Sequence, residues 1–278
     1  MAIGEQPPAP PSPGIATKVV RALGELLITA GLVVLLFVVY ELYVTDLFSG
    51  RKQVAAAQSL DEEWAGARPR LGPVGDKAFA KLYIPALGTD YHYTVQEGVD
   101  AAALEVGPGH YPGTALPGEP GNFAVAGHRV GRGAPFDGLD NLRSCDAIVV
   151  ETQSDFFVYR VLPHADEVAG WATGKGRQPR CSHVATLRTP ASDGGPYGQT
   201  SGREIVSPSQ GDVVAPVPHR PADVLPKSGQ VALLTLTTCH PRFSDRQRLI
   251  VHAVLTNQFT KTPGTGYEQL LKAIGEEG

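Results

Sequence analysis

The sequence predicts a mainly β domain, a sandwich or barrel, carried behind one apolar helix. Three observations carry this reading. Short runs rich in β-branched and aromatic residues recur at 79–84, 91–95, 122–126, 147–151, 156–162, 205–206, 212–214, 231–237 and 249–255, separated by glycine and proline clusters. Such spacing marks strands joined by turns. The chain holds 32 glycines and 24 prolines among 278 residues, well above ordinary usage and without the three-residue period of collagen. Finally, residues 26–40 (LLITAGLVVLLFVVY) run without a charge.

In chain order, residues 1–18 open with Pro7, Pro8, Pro10, Pro11 and Pro13 and little that is large and apolar, a composition that cannot offset its ordering entropy, so a disordered cytoplasmic tail is expected. Residues 19–44 extend the uncharged run to the length of a transmembrane helix, with Glu25 and Glu41 near the interfaces. Lys18 and Arg21 precede it and Arg51 and Lys52 follow, so loop charge favours a cytoplasmic N-terminus by a small margin. A cleaved signal peptide is the rival reading, against which the segment starts late and lacks a small-x-small cleavage site. Residues 45–76 read as a stalk or linker, helical until Pro69, Gly72, Pro73 and Gly75 break it. Residues 77–257 make one domain, and 258–278 a C-terminal tail.

Within the domain, 231–236 is almost wholly apolar and reads as a central strand buried on both faces, while 156–162 alternates. Helices are expected to be few and short, at 100–105 and 137–142. Residues 163–203 carry little strand pattern. A loop of that length is uncommon in a compact domain, so it reads as an insertion.

Composition excludes several functions. With 24 Lys and Arg against 28 Asp and Glu the net charge is −4, which gives no footing for a nucleic-acid partner. One Met and 19% charged residues fit neither a coiled coil nor a Met-lined calcium switch.

The candidate chemistry lies at three points. Cys239 ends the apolar strand in TLTTCHP, where a rigid scaffold can present a nucleophile. His128 follows a second apolar strand in AVAGHRV, and Arg248 opens the strand RLIVHAVL nine residues after Cys239, a spacing suited to a hairpin. Each alone has an ordinary reading: a buried thiol, a packed imidazole, a solvated arginine. His240 adjoins Cys239, but neighbours on a strand point to opposite faces.

Together these residues, with the segment GPGHYPGTALPGEPGNFAVAGHR, resemble the sortases, cysteine transpeptidases of Gram-positive cell surfaces, and look most like the class E group of actinobacteria. The resemblance spans about 77–255, less the insertion, and includes the N-terminal anchor. It implies an eight-stranded β-barrel with a few short helices. It also implies Cys239 as nucleophile, His128 as general acid/base and Arg248 as the cation beside the oxyanion, with Thr237 and Thr238 orienting the cysteine and lining the groove. Tyr111 resembles a class E tyrosine linked to preference for a Leu-Ala-x-Thr-Gly signal over Leu-Pro-x-Thr-Gly. The implied reaction cleaves that signal between Thr and Gly and passes the acyl group to a peptidoglycan amine. The implied partners are secreted proteins with C-terminal sorting signals and peptidoglycan or its lipid-linked precursor. The catalytic domain then lies outside the cell membrane.

Cys145 stands where the resemblance would usually show a glycine before Asp146, and Cys181 lies in the insertion. A Cys145–Cys181 disulfide tying the insertion to the barrel is expected. No metal and no cofactor are expected: a zinc site from Cys145, Cys181 and His183 lacks a fourth ligand. Glu204 and Asp245, the acidic candidates for calcium, are isolated. His92, His110, His219 and His252 have no neighbouring Cys or carboxylate pattern. Two alternatives stay open: a pilus-polymerising sortase, although 61–64 (DEEW) offers no Asp-Pro lid motif, and a non-catalytic surface-binding barrel.

Overall fold

The computed structural model describes residues 14–66, 72–73, 75, 77–184, 186–189, 193–262 and 266–276. Two units emerge, Met1–Val44 and Thr45–Gly278. The first contains α1, Ile15–Val39, whose 25 residues bury none of their side chains and which passes into a π-helical turn, Tyr40–Val44. Its mean hydropathy of 2.5 and its length suffice to cross a membrane.

The second unit is built on nine strands: β1 Ala78–Tyr83, β2 His92–Glu97, β3 Gly109–His110, β4 Gly121–Ala126, β5 Ala147–Glu151, β6 Asp155–Val161, β7 Arg203–Val206, β8 Ala232–His240 and β9 Gln247–Thr260. They run in the order β6-β5-β1-β2-β3-β4-β8-β9, and β9 also pairs with β6, so eight strands close a barrel. Closure depends on the length of β9. Its 14 residues give the first part to β8 and the last part, from Ala253 to Thr260, to β6. The ninth strand, β7, lies along β9 from Arg248 to Val251. Phe79, Leu82, Phe123, Val125, Leu234 and Leu236 fill the interior. As its apolar pattern predicts, β8 is buried on both faces from Leu233 to Thr238.

Several elements depart from the sequence reading. Residues 211–214 form a 3-10 turn instead of a strand. Their carbonyls serve other groups: Asp212 O accepts from the Ala215 and His219 amides, and Val213 O faces the Asn122 amide. The short β3 carries no β-branched residue and was not expected. The segment read as a stalk forms α2, Thr45–Gly66, which lies against the barrel. There Leu60 is buried, Gln53 hydrogen-bonds the backbone of Thr94 and Val106, and Lys81 reaches Asp61 and the Trp64 ring. The segment read as a tail continues β9 to Thr260 and then forms α4, Tyr267–Ile274, which sets Leu270 against Ala147, Val149 and Val158. The expected helices appear as α3, Ala101–Val106, capped by the Asp100 carboxylate, and a 3-10 turn at Leu139–Asn141.

Described residues of the 163–203 segment, read as an insertion, build a second small core. Trp171, Val184 and Tyr197 from this segment pack with Leu162, Leu233 and Val254 on the outside of the barrel.

Candidate active site

The end of the β8–β9 hairpin pairs Cys239 with Arg248 across the two strands. β4 runs parallel to β8, with Ala126 opposite Thr237, and delivers His128 to the same end. Two hydrogen bonds fix the strand exit: the Gly127 amide donates to Thr237 O at 3.1 Å, and the Thr238 hydroxyl donates to Gly127 O at 2.8 Å. Only glycine fits before His128, because a Cβ at Gly127 would lie 2.6 Å from the buried Phe136 ring. The Tyr111 hydroxyl meets Thr237 Oγ1 at 3.0 Å. Thus the strand-Gly-His pattern and the TLTTC pattern are one locally bonded unit.

Cys239 and His128 stand between two depressions. One, of about 220 Å³, is lined by Tyr111, Thr237, Thr238 and Arg248 as well as the thiol and the imidazole. The other, of about 290 Å³, lies on the far side and is lined by Arg129, Val130, Phe243, Ser244 and Asp245. All six residues expected at the site therefore share one cleft.

Its electrostatics leave one group waiting. His128 Nε2 is buried and has no hydrogen-bond partner among the described residues. Burial, helped by the Arg132 charge, holds the imidazole below its ordinary range, so the ring rests neutral at pH 7. The Arg248 guanidinium donates to its own hairpin, to Asp245 O at 2.7 Å and Gln247 O at 3.0 Å.

One residue escaped the sequence reading. Arg129 is only 5% exposed, and its guanidinium donates to Cys239 O at 3.4 Å, His240 Nδ1 at 2.9 Å and Asp140 Oδ2 at 2.6 Å. It clamps the loop that carries His128 to the strand end that carries Cys239, and takes His240 as its own partner. Its adjacency to His128 was the available signal; its burial was not readable.

At the opposite end, Cys145 and Cys181 form a disulfide with Cα atoms 5.2 Å apart, leaving Cys239 as the free thiol. The bond consumes two donors of the zinc set weighed for Cys145, Cys181 and His183. Cys145 sits at φ +74°, a left-handed conformation that favours glycine. A charged cluster backs the bond: Arg160 donates to Cys145 O and Glu276, and Arg180 pairs with Asp146 and Glu276. Elsewhere Glu204, His219 and His252 bring their ligating atoms within 4.8 Å of one another.

The sortase domain family model matches residues 82–256. The sortase SrtE1 of Streptomyces coelicolor is 31% identical over 263 residues, covering 91% of this chain and 61% of that protein. The chain thus spans less than two thirds of that relative. SrtE2 of the same organism is 36% identical over 195 residues, 63% of this chain and 77% of that protein. The solved SrtF sortase from Corynebacterium diphtheriae is 40% identical, with a TM-score of 0.63 over 76% of this chain and 98% of that one.

Proposed function

The chain belongs to the sortase family, and on that premise we propose that it is a membrane-anchored cysteine transpeptidase acting on a Leu-Ala-x-Thr-Gly-like sorting signal. The observation that carries this reading is the pairing of Cys239 with Arg248 at one strand end beside a buried His128 Nε2 that lacks a partner among the described residues. Cys239 is the nucleophile. As its sulfur attacks the Thr carbonyl, the neutral His128 ring takes the thiol proton and returns it to the leaving Gly amine, giving a thioester and a free amine. An incoming peptidoglycan amine then attacks the thioester, gives its proton to His128, and restores the thiol as the new amide forms.

Arg248 stabilises the oxyanion in both steps. Its carbonyl partners on the hairpin are exchangeable, and the guanidinium lines the cleft, so a developing negative charge can draw it over. Thr237 and Thr238 hold the strand end, and the Tyr111–Thr237 contact shapes the pocket for the small residue after Leu. The depression with Tyr111 receives the signal, while the second, past Arg129 and Phe243, leaves room for the leaving peptide and the acceptor amine. α1 is the membrane anchor, its N-terminus cytoplasmic and the barrel outside.

The test is mass-spectrometric transpeptidation by the full chain in detergent, with Leu-Ala-x-Thr-Gly and Leu-Pro-x-Thr-Gly peptides and an amine acceptor. A ligated product is expected, formed faster from the first peptide and absent with Cys239→Ala. Product persisting in that variant refutes the assignment, and equal rates on both peptides refute the signal preference.

A further inference from the structure

We propose that Glu204, His219 and His252 form a Zn²⁺ site that fastens β7 and the segment after it to the outer face of β9. The proposal is independent of the transpeptidase chemistry. Glu204 Oε1 lies 2.8 Å from His219 Nε2 and 2.9 Å from His252 Nε2. Two imidazoles and one carboxylate are a known zinc donor set, whose metal-to-ligand distances near 2.1 Å put neighbouring donors roughly 3.4 Å apart. The two Glu204 contacts need to open by roughly half an ångström to accept the ion, and all three ligating atoms already lie within 4.8 Å of one another. Glu204 and His219 are partly open to solvent, which leaves an approach and a position for a fourth ligand.

A chain of hydrogen bonds sets the state of the buried member, His252. Asn122 Nδ2 faces two backbone carbonyls, Ala215 O at 3.1 Å and Val213 O at 3.5 Å, so its Oδ1 must be the end turned to Thr235. That oxygen therefore accepts the Thr235 hydroxyl proton at 2.7 Å. With its one proton spent, Thr235 Oγ1 can only accept from His252 Nδ1, 2.8 Å away. The neutral ring then aims the bare lone pair of Nε2 at a carboxylate oxygen. Such a contact requires a cation between them, a second proton or a metal. Donating Nδ1–H to an outer partner while Nε2 points at a carboxylate-lined position is how metal-bound imidazoles are ordinarily oriented.

The other two donors are held for the same point. His219 keeps a left-handed backbone at φ +64°, its N–H donating to Asp212 O, and turns its ring to Glu204. Glu204 comes from β7, opposite Ile250 of β9, and turns the same oxygen, Oε1, to both rings. No spacing in the sequence reveals the set, because the β7–β9 register is what brings Glu204 beside His252.

The test uses the untagged full chain in detergent, with Cys239→Ala so that the thiol binds no metal, stripped by chelator and titrated with Zn²⁺. One saturable equivalent is expected, with the visible absorption of a low-symmetry site when Co²⁺ replaces it. His219→Ala should abolish binding. Thr235→Val, which keeps the shape but removes the acceptor for Nδ1–H, should weaken it roughly 10–100-fold. Absence of saturable binding overturns the proposal, as does affinity unchanged in both variants. So does a doubly protonated His252 seen by ¹⁵N NMR in the presence of saturating Zn²⁺, which would mean that a proton fills the position.

Discussion

Along the outer face of β8 and β9, four facing pairs run from one end of the barrel to the other: Leu233–Val254, Thr235–His252, Thr237–Ile250 and Cys239–Arg248. At the first pair the inserted segment lays Trp171 and Tyr197 over the sheet, and Leu233 is fully buried. At the last, Cys239 is part-exposed in a cleft. The same two-residue alternation therefore supplies a hydrophobic contact at one end and the Cys239–Arg248 pair at the other. Cover, not strand chemistry, separates the structural end from the reactive one. The open end should then govern rate with little effect on stability, and the roofed end stability with little effect on rate.

The sharpest probe of the open end after the cysteine itself is Arg248→Lys. An ammonium is a point charge and cannot reproduce the planar fork of donors. Loss of an oxyanion donor costs about 10²–10³-fold in kcat, and unfolding stability should hardly move, because Arg248 is part-exposed and, among the described residues, its guanidinium hydrogen-bonds only its own hairpin. Turnover within a few-fold of the parent would break the comparison by making Arg248 structural.

The roofed end predicts the converse. The Cys145–Cys181 bond spans 36 residues, and losing such a closure costs about 3–4 kcal/mol in the chain-entropy model. Cys145→Ala should show that loss in denaturant unfolding while peptide turnover on the folded protein stays within about twofold. Cys145→Gly loses the same bond but relieves the left-handed backbone, so its deficit should be smaller by roughly 1 kcal/mol. Equal deficits would mean that the backbone at Cys145 is not strained.

Arg129 sits where the two regimes meet. Its guanidinium ties the His128 loop to Cys239 O and His240 without lining up as a reacting group. Arg129→Met keeps the packing stem and removes the fork. kcat is expected to fall about 10–100-fold through misplacement of the imidazole, with KM nearly unchanged. A rise in KM at constant kcat would instead assign Arg129 to peptide binding.

How far these elements were legible follows from how local their causes are. β5 was read to the residue, since AIVVE is a compact β-branched run with turns on both sides. The TLTTC strand and Gly127 before His128 were legible for similar reasons, each being a property of a few consecutive residues. β3 was not, because two residues, Gly109 and His110, become a strand only when β2 and β4 bracket them. Nor was the turn at Gly211–Val214, where Val213 and Val214 look strand-like but the carbonyls are spent on Asn122 and His219. α2 and α4 carry ordinary helical sequence; what the sequence hid was that each lies against the barrel, through Leu60 and Leu270. Arg129 and the Glu204–His219–His252 trio needed tertiary register, which no spacing encodes.

The smallest effect expected at the open end is a pH dependence of stability at His128. Burial first, and the Arg132 charge second, depress the imidazole in the folded protein below its unfolded value near 6.5. Above pH 6.5 the ring is neutral in both states and adds nothing to the balance. As pH falls through 6.5 the unfolded chain takes up a proton that the folded chain still refuses, so folding weakens until the folded value is passed. His128→Gln removes this contribution. Unfolding free energies of parent and variant should therefore differ by a constant above pH 7 and shift in favour of the variant between pH 6.5 and the folded midpoint, which NMR titration of the imidazole locates. A gap that stays constant across that range would mean that water reaches the ring, and that His128 Nε2, unpaired among the described residues, is not shielded in the cleft.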